Sequence, residues 1–231
     1  MEKRNHHFLL LQINDALFPI GGYSHSYGLE TYIQYGLVKD AATADRFIRN
    51  RLRYSIFYTD LLAVRLAYEA AIGEQMGKLD RLEEEMEASR IPEEVREASK
   101  KLGRRFVKTI NGMETLSQLP RWKDYLEKRA GKTTCHPCAY GTLCAAACME
   151  KQEVLAGFLY AQTSAMVTNC VKTIPLSQSE GQKLLFCLHP LLEEMTEKVN
   201  NVPEEMLCAS TPGFDLRCIQ HETLYSRLYM S

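Results

Sequence analysis

Residues 177–199 read Ser-Gln-Ser-Glu-Gly-Gln-Lys-Leu-Leu-Phe-Cys-Leu-His-Pro-Leu-Leu-Glu-Glu-Met-Thr-Glu-Lys-Val. Leu184, Leu188, Leu191, Leu192, Met195 and Val199 recur at helical spacing, and Glu193, Glu194, Glu197 and Lys198 fall outside their stripe. The spacing predicts an amphipathic helix. Its start is marked by Ser177 and Glu180. The serine hydroxyl accepts the amide proton of the third helical residue, and the glutamate reaches back to the cap amide. Pro175 ends the segment before it.

Working outward, residues 154–173 repeat the pattern through Leu155, Phe158, Leu159, Met166 and Cys170, with Ala161 and Ala165 small enough for close helix approach. Residues 44–58 and 60–72 read as successive helices ended near Gly73, and 93–116 as another that begins just after Pro92. No strand-like alternation persists. The charged stretch 74–97, with Glu83-Glu84-Glu85 inside it, is expected to form a solvated helix or helical hairpin rather than a linker. The uncharged stretch 133–149 is shorter than the ~20 apolar residues that cross a bilayer and holds Pro137 and Gly141, so it reads as a core helix. The expected fold is all-α: one helical bundle of about ten helices in a single domain, with residues 1–7 as an amino-terminal extension and 220–231 as a carboxy-terminal tail.

Composition narrows the function. The 231 residues are 45% hydrophobic and 25% charged, as in ordinary globular domains. With 28 basic against 29 acidic residues, the chain has no long-range field to concentrate nucleic acid or anionic lipid. The polar first seven residues carry no apolar leader, and the reading is a cytoplasmic protein with no membrane anchor. Eight cysteines lie in apolar helical stretches, the pattern of reduced core residues rather than of a stapled secreted domain.

Three local motifs invite chemistry. Gly131-Lys132-Thr133 resembles the end of a phosphate-binding loop, but Leu126 stands where the first glycine belongs and no strand leads into it. His221-Glu222-Thr223-Leu224-Tyr225 begins like a zincin helix but has Tyr225 where the second histidine must stand. Cys135-His136-Pro137-Cys138, followed by Cys144 and Cys148, is the competing reading: a Cys/His metal-binding helical protein. A thiol oxidoreductase is disfavoured because its Cys-x-x-Cys sits in a βαβ setting. No catalytic triad is written locally, and no catalytic, cofactor or metal residue is assigned.

Three segments then resemble the UreF family of urease accessory proteins. The first is Leu10-Leu11-Gln12 with the run from Phe18-Pro19-Ile20-Gly21-Gly22-Tyr23-Ser24 through His25-Ser26-Tyr27-Gly28-Leu29-Glu30. The second is His136 with Tyr140-Gly141, then Val171 and the run from Ile174 to Leu185. The third is Gln220-His221-Glu222-Thr223-Leu224-Tyr225-Ser226-Arg227-Leu228-Tyr229-Met230-Ser231. The resemblance implies an all-helical homodimer that binds UreD (also called UreH), recruits the GTPase UreG and docks on apo-urease, with nickel handled by the complex. Within the first segment, Pro19 fixes its own backbone, Gly21 and Gly22 permit a reversal, and a helix is expected to start near Ser24. Tyr23, His25 and Tyr27 carry apolar bodies with polar tips, as interface residues do. The tail's Tyr225, Arg227, Leu228 and Tyr229, with His221 and Glu222 before them, form the other expected partner contact, since tyrosine and arginine most often carry interface energy.

Overall fold

The computed structural model describes residues 3–209 and 211–231; the side chains of residues 3–5 and of Tyr23 lie outside the described set. Among the described residues the regular secondary structure is all helical, with no strand. The α-helices are α1 (Lys3–Ile13), α2 (Leu29–Gln34), α3 (Ala41–Arg51), α4 (Leu62–Ile72), α5 (Met76–Ala88), α6 (Glu93–Asn111), α7 (Glu114–Ser117), α8 (Pro120–Lys128), α9 (His136–Ala146), α10 (Lys151–Thr173), α11 (Gln178–Lys198) and α12 (Pro212–His221). Helix α1 takes in residues 3–7 of the expected extension.

Helix α11 starts as its sequence demands. The Ser177 hydroxyl accepts from the Glu180 amide at 3.2 Å, and the Glu180 carboxylate accepts from the Ser177 amide at 2.8 Å. Its apolar stripe packs on α10. By length and composition α10 is the one helix among the described residues apolar enough to cross a membrane, yet half of that apolar window is buried inside the bundle.

Every residue of α9 is buried. It runs along α4 so closely that a methyl group on Gly141 would sit 2.5 Å from the Val64 carbonyl oxygen and 3.2 Å from the Tyr68 amide nitrogen. Only glycine lets the two backbones meet there.

Two boundaries differ from expectation. Residues 44–58 and 60–72 are not two helices. A π-helical segment, Leu52–Leu61, joins α3 to α4 in one unbroken run. Thr59, which reads as a break, turns its hydroxyl back onto the Ser55 carbonyl at 3.0 Å and stays within the helix. The helix expected from 93 to 116 ends at Asn111, and a separate turn, α7, follows.

The charged stretch 74–97 forms α5 and the start of α6, and it does more than face solvent. Glu83 is 1% exposed. Its carboxylate accepts from the Tyr125 hydroxyl and from the Cys135 amide at 2.6 Å, joining α5 to α8 and to the cap of α9. Burial, only partly offset by these bonds, pushes its carboxyl up to about 7. Asp80 pairs with Arg129 at 2.6 Å and with Lys132 at 2.8 Å, and Arg90 reaches Asp60 at 2.8 Å. The Lys132 ammonium of the loop-like motif is thereby occupied within the fold.

Candidate functional site

The first and third segments of the family resemblance, some two hundred residues apart in sequence, meet and close on each other. Ser24 does not start a helix. Its hydroxyl donates to the Gly21 carbonyl at 2.7 Å, Gly21 adopts a left-handed φ of 84°, and residues Gly22–Ser24 form one 3-10 turn. The helix begins later, after Gly28 (φ 82°), where a Cβ would meet the Cys218 amide nitrogen at 3.2 Å. Glycine there allows both the turn and the approach of α12 to α2.

Onto this loop the tail is laid as a bonded strap. The main-chain oxygen of Ser231 accepts from the amides of Ser26 at 2.6 Å and Tyr27 at 2.9 Å, and from the Ser26 hydroxyl at 2.8 Å. The Ser231 hydroxyl is bonded to His25 Nδ1 at 2.9 Å, and the Met230 amide donates to the Ser24 carbonyl at 2.9 Å. Glu30, on the first turn of α2, accepts from the Leu228 amide at 2.7 Å and from the Tyr229 amide at 3.0 Å. The same carboxylate meets His221 Nε2 at 3.0 Å, while His221 Nδ1 meets Glu94 at 2.6 Å. Glu94 also pairs with Arg227, and Glu222 accepts from the α6 amides of Glu93 and Glu94 at 3.0 and 3.4 Å. Asn169 of α10 donates to the His25 carbonyl at 3.0 Å and ties the loop to the core.

Electrostatics follow from this packing. Burial, reinforced by Lys101 and Arg105, lowers the His25 imidazole to about 4, so the ring is neutral at pH 7. The Tyr27 hydroxyl is pushed up to about 12, again by burial first, and Arg51 stacks over its ring at 5.3 Å. Tyr27 holds a positive φ of 51°, uncommon for a non-glycine residue.

The residues singled out from sequence therefore divide. His221 (0% exposed), Tyr229 (7%) and His25 (4%) lie inside the joint, where they position the tail. Tyr225 is fully exposed, Leu228 is 67% exposed, and Arg227 and Glu222 are partly exposed on the outer side. Tyr23's side chain lies outside the described residues. Two residues central to the joint, Glu30 and Glu94, were not among the expected contacts. Glu30 stood inside the quoted first segment, whereas Glu94 carries no local signal.

The Cys135–Cys138 region is built differently. His136 is enclosed by the rings of Phe106, Tyr140 and Phe158 at centroid distances of 5.1, 5.9 and 5.9 Å, and burial lowers its imidazole to about 4. Burial, with Glu83 adding to it, pushes the Cys135 thiol up to about 12, and burial also raises Cys138 and Cys144. Thiols held protonated are poor ligands, because metals bind the thiolate. Among the described residues no group of three or more His, Cys, Asp or Glu side chains is placed to hold a metal ion.

Known proteins match this chain over nearly its whole length. The UreF family model matches residues 38–189. The urease accessory protein UreF of Actinobacillus pleuropneumoniae serotype 3 (strain JL03) is 37% identical over 222 residues, covering 96% of this chain and 97% of that one. UreF of Haemophilus influenzae (strain ATCC 51907 / DSM 11121 / KW20 / Rd) is 36% identical over 223 residues (96% and 94%), and UreF of Bacillus sp. (strain TB-90) is 33% identical over 223 (96% and 97%). The span of the family model lies between the loop and the tail that form the joint. With the family model and full-length relatives in agreement, this chain belongs to the UreF family of urease accessory proteins, and its role lies in urease maturation.

Proposed function

We propose that this protein is a cytoplasmic, non-catalytic adaptor of urease maturation, a homodimer that bridges UreD/UreH and the GTPase UreG on apo-urease and couples GTP state to nickel delivery. Nickel is then cargo of the assembly, and this chain holds no cofactor of its own. The observation that carries the reading is the strapped tail: a segment rich in binding-type residues is fixed by main-chain bonds, with Tyr225, Arg227 and Leu228 turned outward. A fixed main chain beneath exposed aromatic and arginine side chains suits protein recognition, because the backbone has little conformational freedom left to lose when a partner covers it. The exposed aromatic pair Tyr160 and Phe186, flanking His189 on α10 and α11, supports self-association on a separate face.

The test is size-exclusion chromatography with light scattering on the chain co-expressed with UreD and UreG, with and without residues 220–231. A complex of all three that depends on the tail is the expected result. A complex of wild-type yield and stoichiometry from the truncated chain overturns the assignment of the tail.

A further inference from the structure

Helix α6 carries a cationic stripe that makes none of the ion pairs of the joint. Lys101, Arg104, Arg105 and Lys108 stand at i, i+3, i+4 and i+7, one above another on a single face, and all four are exposed. The opposite face buries Val95, Ala98, Leu102, Phe106 and Ile110. The ion pairs of α6 lie elsewhere: Lys100 with Glu87 and Glu97, Glu94 with His221 and Arg227. Among the described residues Lys101, Arg104 and Lys108 enter none, and like charges at this spacing weaken a helix.

Exposed apolar side chains stand in the segments that border the stripe. At one end Lys101 shares a cleft with His25, Glu222 and Met230, the last 56% exposed. Midway along it, Arg105 donates to the Ile20 carbonyl at 3.2 Å, in the loop segment that also displays Leu17, 90% exposed.

We propose that this face docks an acidic segment of a partner protein, with carboxylates one helical turn apart facing Lys101, Arg104 and Lys108 and aliphatic side chains covering Leu17 and Met230. The proposal rests on the adaptor reading for the existence of such a partner, but not on the tail. A protein fits better than a polyanion for three reasons. The chain's net charge is −1. The cations span only about 10 Å of helix. Finally, Glu93, Glu94, Glu97 and Glu222 border the Lys101 cleft, so the site suits a segment whose few carboxylates stop at Lys101 and not a continuous run of phosphates that extends past it.

The experiment uses full-length protein with fluorescein-labelled helical peptides. One peptide carries glutamates at i, i+3, i+4 and i+7 between leucines, and a twin carries lysines instead. A short DNA duplex and phosphatidylserine vesicles serve as the other arms. Wild type is expected to bind the glutamate peptide in preference to DNA and vesicles. The K101E/R104E/K108E protein is expected to bind it at least about tenfold more weakly and to gain binding to the lysine peptide. Arg105 is left intact because it anchors Ile20. If the triple reversal fails to fold, K101Q/R104Q/K108Q replaces it and reads loss alone. Equal binding by wild type and variant, no binding of the glutamate peptide, or tighter binding of DNA or vesicles overturns the proposal. The peptide assay needs neither UreD nor UreG, so its failure is distinct from failure of the tail-dependent complex.

Discussion

Replacing Glu30 with alanine removes the one side chain that accepts from two tail amides and faces His221 at once. A hydrogen bond to a charged group is worth roughly 1.5–3 kcal/mol, and a buried donor left unpaired costs roughly 1–3 kcal/mol. The nominal sum for three lost partners is large, but the chain has a cheaper route. The strap can lift and let water reach the amides of Leu228 and Tyr229, so the loss is capped near the free energy that docks the tail. Taking that local loss as about 2 kcal/mol, amide exchange at Leu228 and Tyr229 is expected to quicken about thirtyfold. Amides in α10 and α11, held by a core that Glu30 does not touch, are expected to change far less. Hydrogen exchange resolved to single residues, together with tryptic cleavage after Arg227, reads both. If the Leu228 and Tyr229 amides of Glu30→Ala stay as protected as in wild type, the strap is held by something other than Glu30 and the reasoning fails.

Three further outcomes follow from the packing. Gly141→Ala forces a methyl group to 2.5 Å from the Val64 carbonyl. It is expected to cost more than about 3 kcal/mol in thermal or denaturant unfolding, whereas Gly77→Ala, with nothing within 4 Å at the second residue of α5, is expected to stabilise by up to about 1 kcal/mol. The fold raises Glu83 from 4.5 to about 7 and so favours its protonated form; that contribution is complete below pH 4.5 and is lost as pH rises through 7. The stability of wild type minus that of Glu83→Gln is therefore expected to fall by about 3 kcal/mol between pH 4.5 and 8, and a flat difference rejects the assignment. His25 and His136 run the other way, from 6.5 to about 4, so they withdraw stability as pH falls from 6.5 to 4 and do so equally in both proteins. With Ellman's reagent, Cys148 and Cys187 are expected to react first, since both are exposed, and Cys135, Cys138, Cys144 and Cys170 only on unfolding.

What the sequence disclosed was local. The capping box at Ser177 and Glu180, the stripe behind it and the buried run around Tyr140 are each written within a single helix, and each is found as read. The junction of α3 and α4 was hidden because continuity there depends on a π-helical register that no periodicity of 3.6 announces. Glu83 was masked by its neighbours in an acidic run. The signal was its phase, since it shares the face of Leu79, Leu82 and Met86 and so falls on the buried stripe of α5. The joint lay beyond local reading altogether. Glu30 and Glu94 meet His221 across 191 and 127 residues, and no spacing rule links them.

The strap also fixes how binding must depend on Glu30. A partner that recognises the docked tail sees an affinity scaled by the docked fraction, whereas amide protection scales with the docking equilibrium constant itself. While the docked form dominates, the two quantities part company. If docking is favoured by about a hundredfold, a thirtyfold loss leaves roughly three-quarters of the molecules docked, so protection falls steeply and affinity hardly moves. Only a second lesion, such as Arg227→Ala on Glu30→Ala, carries the equilibrium past its midpoint, and affinity then drops with each further loss. Arg227→Ala alone removes an outward contact as well as the pair with Glu94, so it lowers affinity directly. A partner that instead grasps a lifted tail gains affinity from Glu30→Ala in proportion to the protection lost. Measuring exchange and affinity on the same variant separates the two modes by the sign of the affinity change.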